Sequence, residues 1–287
     1  MKRKLDKAPL VHALIHLRFT EVPGLKPISS ELVSLLHAKM MDLGFPEKIE
    51  SQADVLEWSF DPISQQMKQK KLSDVRLLFR AAGEQDIVEV SSSSIVLKST
   101  SYDTFHEFYK KFYKILHCCM EIIPNLSKTL LKSVGLRYVD IIAPSDGFLL
   151  SDFVNQEVLP PRLEVDGEHL QGHSLKAVKT DNQVLVLNFE ELPVQNRQIQ
   201  KVLPDNLIEP DNKCGLIIKG QHDWFNVGSP TYGILDIDHT HQFMNSPAFD
   251  ADEISLATKK LYERSSEVFW RVITDNAKNA WGYKEIQ

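Results

Sequence analysis

The chain has 287 residues, of which 43% are hydrophobic and 25% are charged, as in an ordinary globular protein that can bury a sizeable core. No apolar run approaches the ~20 residues needed to cross a bilayer. The net charge of −6 disfavours broad, non-specific binding to nucleic acid, because such binding needs many cations against phosphates.

The charge is unevenly distributed along the chain. Residues 1–143 hold 20 basic and 17 acidic side chains, whereas residues 144–287 hold 13 and 22. A local basic patch in the first half is therefore compatible with the acidic total.

The first residues, MKRKLDKAPLVHALIHLRF, begin basic like a signal peptide. The segment that follows, however, carries His12, His16 and Arg18 and has no small-residue cleavage site. Val11–Phe19 instead alternates with period two, which predicts a half-buried strand. We therefore expect a cytoplasmic protein.

Three cysteines are present, Cys118, Cys119 and Cys214. An odd number with an adjacent pair does not make a disulfide framework, and no CxxC pair is present to form a thiolate zinc site. We expect buried free thiols and no cofactor.

The first half predicts strands between two helices. Ser29–Leu43 has a serine N-cap and an apolar stripe, and Gly44 ends it. Tyr102–Ile123 is the clearest helix, because its apolar residues follow the spacing of one buried face. Four strands are expected between these helices: Val55–Phe60, Asp74–Ala81, Asp86–Ser91 and Ser94–Lys98. A solvated loop between the first two is expected to hold Lys68, Lys70 and Lys71.

A β-branched, aromatic stretch at Ser133–Ile142 predicts a central strand, and the rest of the chain again reads as strands followed by a helix. Asp181-Asn182 marks a hairpin turn, and residues 192–212, with three prolines, predict a long loop. The expected elements are the strands Leu170–Thr180, Gln183–Glu190, Cys214–Lys219 and Tyr232–His241 and the helix Asp250–Asn279.

These patterns predict an α+β fold of antiparallel sheets, each covered by a long amphipathic helix, in two similar subdomains. The boundary falls near Pro144–Pro161, which divides the chain into residues 1–143 and 144–287. One compact unit is the alternative.

Arg137 and Asp140 lie in the central strand, on opposite faces by parity. Gly135 shares the face of Arg137 and lets a ligand or another backbone approach closely. An arginine in a central strand must be paired or must reach a groove. A structural ion pair and a role in ligand or partner contact both satisfy this requirement.

The densest group of potential metal ligands is LDIDHTHQF, with Asp236, Asp238, His239 and His241. On a strand, the two aspartates face one side and the two histidines the other, so the four do not converge on one ion. We therefore predict no metal site, and these four residues are the alternative ligands for one.

The loop sequence QHDWFNVGSPTYG contains Trp224, Phe225 and Tyr232. Aromatic residues in loops often mark partner contacts, although a small core beneath the loop is an equal alternative. The chain contains no Walker A, GxGxxG, GxSxG or HExxH sequence, which disfavours the enzymes that use them.

Three stretches, APLVHALIHLRF, GLRYVDII and SSEVFWRVITDNAKNAWG after LDIDH, resemble a sporadically distributed family of uncharacterised bacterial proteins of similar length. Many members of that family have asparagine at the position of Asp140. The resemblance implies accessory genes, such as defence or toxin–antitoxin-like cassettes, and brings no activity with it.

The leading hypothesis is a non-enzymatic interaction or regulatory protein that forms a homo-oligomer or binds an operon-encoded protein. The alternatives are a metal-dependent hydrolase or nuclease that uses the Asp236–His241 cluster, and a nucleic-acid-binding module that uses Arg137 and the lysines of Tyr102–Ile123. No membrane partner is expected.

Overall fold

The computed structural model describes residues 2–61, 66–145, 147–163, 165–167 and 171–286. Up to residue 130 the elements are β1 (Lys2–Leu5), β2 (Leu10–Phe19), α1 (Ser30–Asp42), β3 (Glu47–Asp61), β4 (Gln66–Arg80), β5 (Asp86–Val90), β6 (Ser94–Ser99) and α2 (Phe105–Ile122). From residue 131 they are β7 (Leu131–Ile142), α3 (Leu150–Phe153), β8 (Gly172–Thr180), β9 (Gln183–Pro193), β10 (Thr231–Gln242), α4 (Ala251–Val272), α5 (Asp275–Ala280) and β11 (Tyr283–Ile286).

The three longest helices begin after polar side chains that accept an otherwise unpaired backbone N–H. Ser29 caps α1, Thr104 caps α2 and Asp250 caps α4. The helix predicted over Asp250–Asn279 is not continuous, because Ile273 is extended and Thr274 caps the separate helix α5.

Nine strands form one antiparallel sheet in the order β3-β4-β5-β6-β2-β7-β10-β9-β8, and β1 pairs with β11 separately. The α+β class and the antiparallel pairing are confirmed. Separate sheets in two subdomains are not confirmed, because β2 pairs with β7 and β7 with β10 in a continuous sheet.

The strand order repeats outward from the centre of the sheet. Among the strands of this sheet, each half places its first strand at the centre (β2 and β7), its last strand next to it (β6 and β10), and the strands between these two in sequence further out. Each half also has a helix after its first strand and another after its last. These are α1 and α2 in the first half, and α3 and α4 in the second.

The helices cover one face of the sheet. Ile15 of β2 and Leu136 of β7 join Leu116 of α2 and Leu261 of α4 in the larger core. A second core on this face joins β9 and β10 to α3, α5 and the end of α4. We call this covered face of the sheet the helix face.

The opposite face is crossed by residues 194–230, which we call the strap. Its Trp224 packs against Val139 and Ile141 of β7, and Cys214 packs against Leu78 and Ile87. The predicted strand Cys214–Lys219 is wrong, since these residues lie in the strap without regular pairing, although Ile217 N–H donates to the Glu84 carbonyl.

Two further expectations concern the lysines and the cysteines. The loop predicted for Lys68, Lys70 and Lys71 is wrong, because these residues belong to β4 and pair with β3. All three cysteines are free and buried, as predicted. No helix among the described residues is long and apolar enough to span a membrane.

Candidate interaction surface

Arg137 lies at the centre of the strap face, in an ion pair with Asp236 of the neighbouring strand. Its Nε donates to Asp236 Oδ1 at 2.7 Å and its Nη2 to Asp236 Oδ2 at 2.6 Å. Nη2 also donates to Asn206 Oδ1 of the strap at 2.9 Å. Only 11% of the Arg137 side chain and 6% of the Asp236 side chain are exposed, so these groups compensate each other inside the protein.

Asp140 lies on the helix face, three residues along the same strand. It is buried, and burial together with the nearby charge of Asp236 raises the pKa of its carboxyl to about 8. The group is therefore mainly protonated at neutral pH. Arg137 and Asp140 do not form one site.

The Asp236–His241 cluster is divided between the two faces. Asp238 lies beside Arg137 on the strap face, where burial raises the pKa of its carboxyl. His239 and His241 lie under α4, and the Nδ1 of His239 is 3.2 Å from the Leu261 carbonyl oxygen. Within the described part of the chain, no three His, Cys, Asp or Glu side chains are grouped to hold a metal ion.

The three aromatic residues singled out around the loop have different environments. Trp224 is buried in the core beneath the strap, and so is Tyr232, whose hydroxyl donates to the Lys201 carbonyl. Phe225 is 64% exposed and lies against Gly220. Of the three, Phe225 is the one available to a partner.

A network of four charges beneath the strap could not be anticipated from the sequence. Arg76 Nη2 lies 2.9 Å from Glu209 and Lys98 Nζ lies 3.2 Å from Glu89, and two longer contacts of 3.6 Å join the pairs. Glu209 is 133 residues from Arg76 in the chain, so no local pattern signals the pairing. The network holds the strap on β4, β5 and β6.

His12 and His16 lie near this network and are both neutral at pH 7. Burial, followed by the charge of Lys98, lowers the pKa of His12 to about 4. Burial, followed by the charge of Arg18, lowers the pKa of His16 to about 4 as well. Both rings line the strap face as uncharged groups.

The lysine side of α2 is not a uniform basic patch. Lys111 Nζ lies 2.6 Å from Asp86 Oδ2. A cavity of about 440 Å³ beside α2 is lined by charges of both signs, among them Asp42, Asp103, Glu107, Lys110 and Lys114. This mixture gives little support to phosphate binding.

An open part of the helix face lies at the end of the sheet, where α4 faces β8 and β9. A cleft of about 600 Å³ opens there, and we call it the α4 cleft. Its floor is apolar and its α4 wall is mainly charged, with Val178, Leu185, Val268, Lys260, Arg264 and Glu267 among the lining residues.

The β8 strand bordering this cleft is the last strand of the sheet, so one side of its backbone has no strand partner among the described residues. Leu175 is 60% exposed and Val178 is 48% exposed, on opposite faces of the strand.

Neither family models nor curated proteins yield a match to this chain.

Proposed function

We propose that the protein is a non-enzymatic interaction or regulatory protein that binds a second copy of itself or an operon-encoded partner through β8 and the adjoining α4 cleft. The observation that carries the proposal is the β8 edge of the nine-stranded sheet, which has two exposed apolar side chains, Leu175 and Val178. Such an edge is a template for an added strand.

The arrangement of the candidate catalytic residues of β10 does not favour an enzyme. Asp236 is neutralised by Arg137, and the histidines of the same strand point to the other face.

Lys176 and Lys179 on β8 disfavour indiscriminate pairing of the edge, which is consistent with a selected partner. We further propose two related subdomains within the continuous sheet, and a role in a bacterial defence or toxin–antitoxin-like assembly on the sequence resemblance alone.

The test is size-exclusion chromatography with light scattering, on the chain alone and mixed with proteins encoded beside its gene. We expect a mass above the 32.8 kDa of one chain. The double variant Leu175→Lys, Val178→Lys should restore the single-chain mass. Leu256→Lys on α4, where the leucine is 56% exposed, is the matched control and should leave the complex intact. A single-chain mass in every mixture would contradict the proposal.

A further inference from the structure

The two halves of the sheet differ in the helix that follows their first strand. In the first half, α1 has 13 residues and lies beside α2. Its Leu36 and Met40 are buried in the core, its His37 stacks on Phe79 of β4, and Lys39 lies 3.6 Å from Glu121 of α2. The strands β4 and β5 of this half therefore pack against a helix.

The corresponding helix of the second half, α3, has only four residues. It contributes Leu150 and Phe153 to the core near α5, and the Phe153 ring lies 5.7 Å from that of Trp281. One helical turn is about 5.4 Å long, whereas a 13-residue helix spans about 20 Å. The α3 helix can therefore cover only a small part of the surface that α1 covers.

The α4 cleft lies where the rest of such a helix would lie. By strand order, β9 and β8 are the counterparts of β5 and β4, and α4 is the counterpart of α2. The cleft is bounded by these same elements, β8, β9 and α4. Its floor includes Leu185, which is 5% exposed, and Val178, which is nearly half exposed. The cleft thus offers an apolar surface like the one that α1 packs on in the first half.

The charges on the wall select the occupant. Glu267 is paired with Arg271 on the same helix. Lys260, Arg264 and Glu263 also line the cleft, and none of them has an ion-pair partner within 4 Å among the described residues. Because the lining holds three cations and two carboxylates, its excess charge is positive, and a helix with acidic flanks fits the cleft better than a basic one.

We propose that the α4 cleft binds an amphipathic helix with acidic flanks, supplied by a partner protein, in the position that α1 holds in the first half. This inference rests on the proposed function and names the chemistry of its partner. The apolar stripe of the helix lies on Val178, Leu185 and Val268, and its carboxylates face Lys260 and Arg264.

The test uses two labelled synthetic peptides of equal length. Both carry the apolar stripe of α1, Leu32, Val33, Leu36 and Met40, and their other positions are alanine with either glutamate or lysine. Fluorescence anisotropy with the full chain should show the glutamate peptide binding at least tenfold more tightly than the lysine peptide. Equal affinities, or no binding of either peptide, would overturn the inference.

Three variants locate the binding. Arg264→Glu should weaken the glutamate peptide tenfold or more, and Val178→Asp should weaken both peptides. Lys110→Glu, an exposed lysine on α2, is the matched control and should change neither affinity. Circular dichroism establishes that each variant is folded. Unchanged binding by folded Arg264→Glu would place the peptide elsewhere and refute the inference.

The outcomes separate this inference from the proposed function. If the peptides fail while the β8 double variant still dissociates a complex, the protein is an interaction protein whose partner is not an acidic helix. If no complex forms in any mixture and the peptides also fail, both proposals are refuted.

Discussion

Arg137 of β7 and Asp236 of β10 form a two-point ion pair between the strands that lie on either side of position 144. Both side chains are almost fully buried, and the pair is diagonal, since Arg137 is in register with Asp238 rather than with Asp236. The contact with Asn206 extends it to the strap. The arginine therefore fastens the sheet centre and the strap together, and its charge is not available for binding an anion.

Removing one partner of this pair should destabilise the protein strongly. We expect Arg137→Leu to lower the free energy of unfolding by about 3–5 kcal/mol, because it leaves the buried Asp236 carboxylate uncompensated. The double variant Arg137→Leu, Asp236→Leu should recover most of the loss. Urea unfolding followed by circular dichroism measures both effects.

The matched control for this pair is on the surface. Arg271 pairs with Glu267 on α4, and both side chains are largely exposed, so Arg271→Leu should cost less than about 1 kcal/mol. A similar cost for Arg137→Leu and Arg271→Leu would show that the central pair has no special structural role.

Asp140 should make the free energy of unfolding fall as the pH rises from about 4 to about 8. Its pKa is about 8 in the fold and near 3.8 in the unfolded chain, so the folded state binds the extra proton between these values. The stabilising contribution of the neutral carboxyl is complete below pH 3.8 and is lost as pH rises through about 8. Asp140→Asn cannot ionise and should be more stable than the parent above pH 8 by at least about 1 kcal/mol.

Melting temperatures between pH 5 and 9 check this expectation. The parent should lose stability across the range more steeply than Asp140→Asn. As a control, Asp103→Asn changes an exposed aspartate and should leave the slope unaltered. Parallel curves for the parent and Asp140→Asn would contradict the assignment of the raised pKa.

The sequence predicted the local structure well and the long-range contacts poorly. Alternation in Val11–Phe19 and the 3.6-residue spacing around Phe108 and Phe112 depend on neighbouring residues, and both are observed as β2 and α2. The separation of Asp236 and Asp238 from the histidines likewise follows from strand parity. By contrast, the union of both halves in one sheet depends on pairing of β7 with β2 and β10, which no local pattern encodes.

The candidate surface was missed for a similar reason. Val178 was predicted within a strand, but its exposure follows from the place of β8 at the end of the sheet. The α4 cleft lies in the half whose first helix, α3, has only four residues, and the sequence pattern predicts no helix in that segment. Trp224 shows the reverse case. The sequence presents it as a loop aromatic that could contact a partner, but its side chain is buried in the core beneath the strap.

His12 should make the free energy of unfolding fall as the pH drops from 6.5 to about 4. Its pKa is about 4 in the fold, below the ordinary 6.5, so the unfolded chain binds a proton that the folded chain does not. Stability is therefore lost as pH falls from 6.5 to about 4. His12→Leu should remove a large part of this loss, on the order of 3 kcal/mol at pH 4.

Urea unfolding at pH 7 and pH 4.5 compares the parent with His12→Leu. His106→Leu is the control, because this histidine is 81% exposed and makes no close buried contact. His16 contributes in the same direction, so a residual loss is expected in His12→Leu. A loss of the same size in the parent and His12→Leu would show that His12 takes up its proton without penalty.

Gly233 of β10 lies directly against an aromatic ring. A Cβ atom at this position would be 2.4 Å from the Phe189 ring, and Phe189 is fully buried. The ring cannot move aside without disturbing the core beside α3, so Gly233→Ala should lower the free energy of unfolding by about 1–3 kcal/mol. Gly24→Ala is the matched control, since no atom lies within 4 Å of the added Cβ there. The two variants are compared by urea unfolding, and equal stabilities would mean that the core around Phe189 accommodates the methyl group.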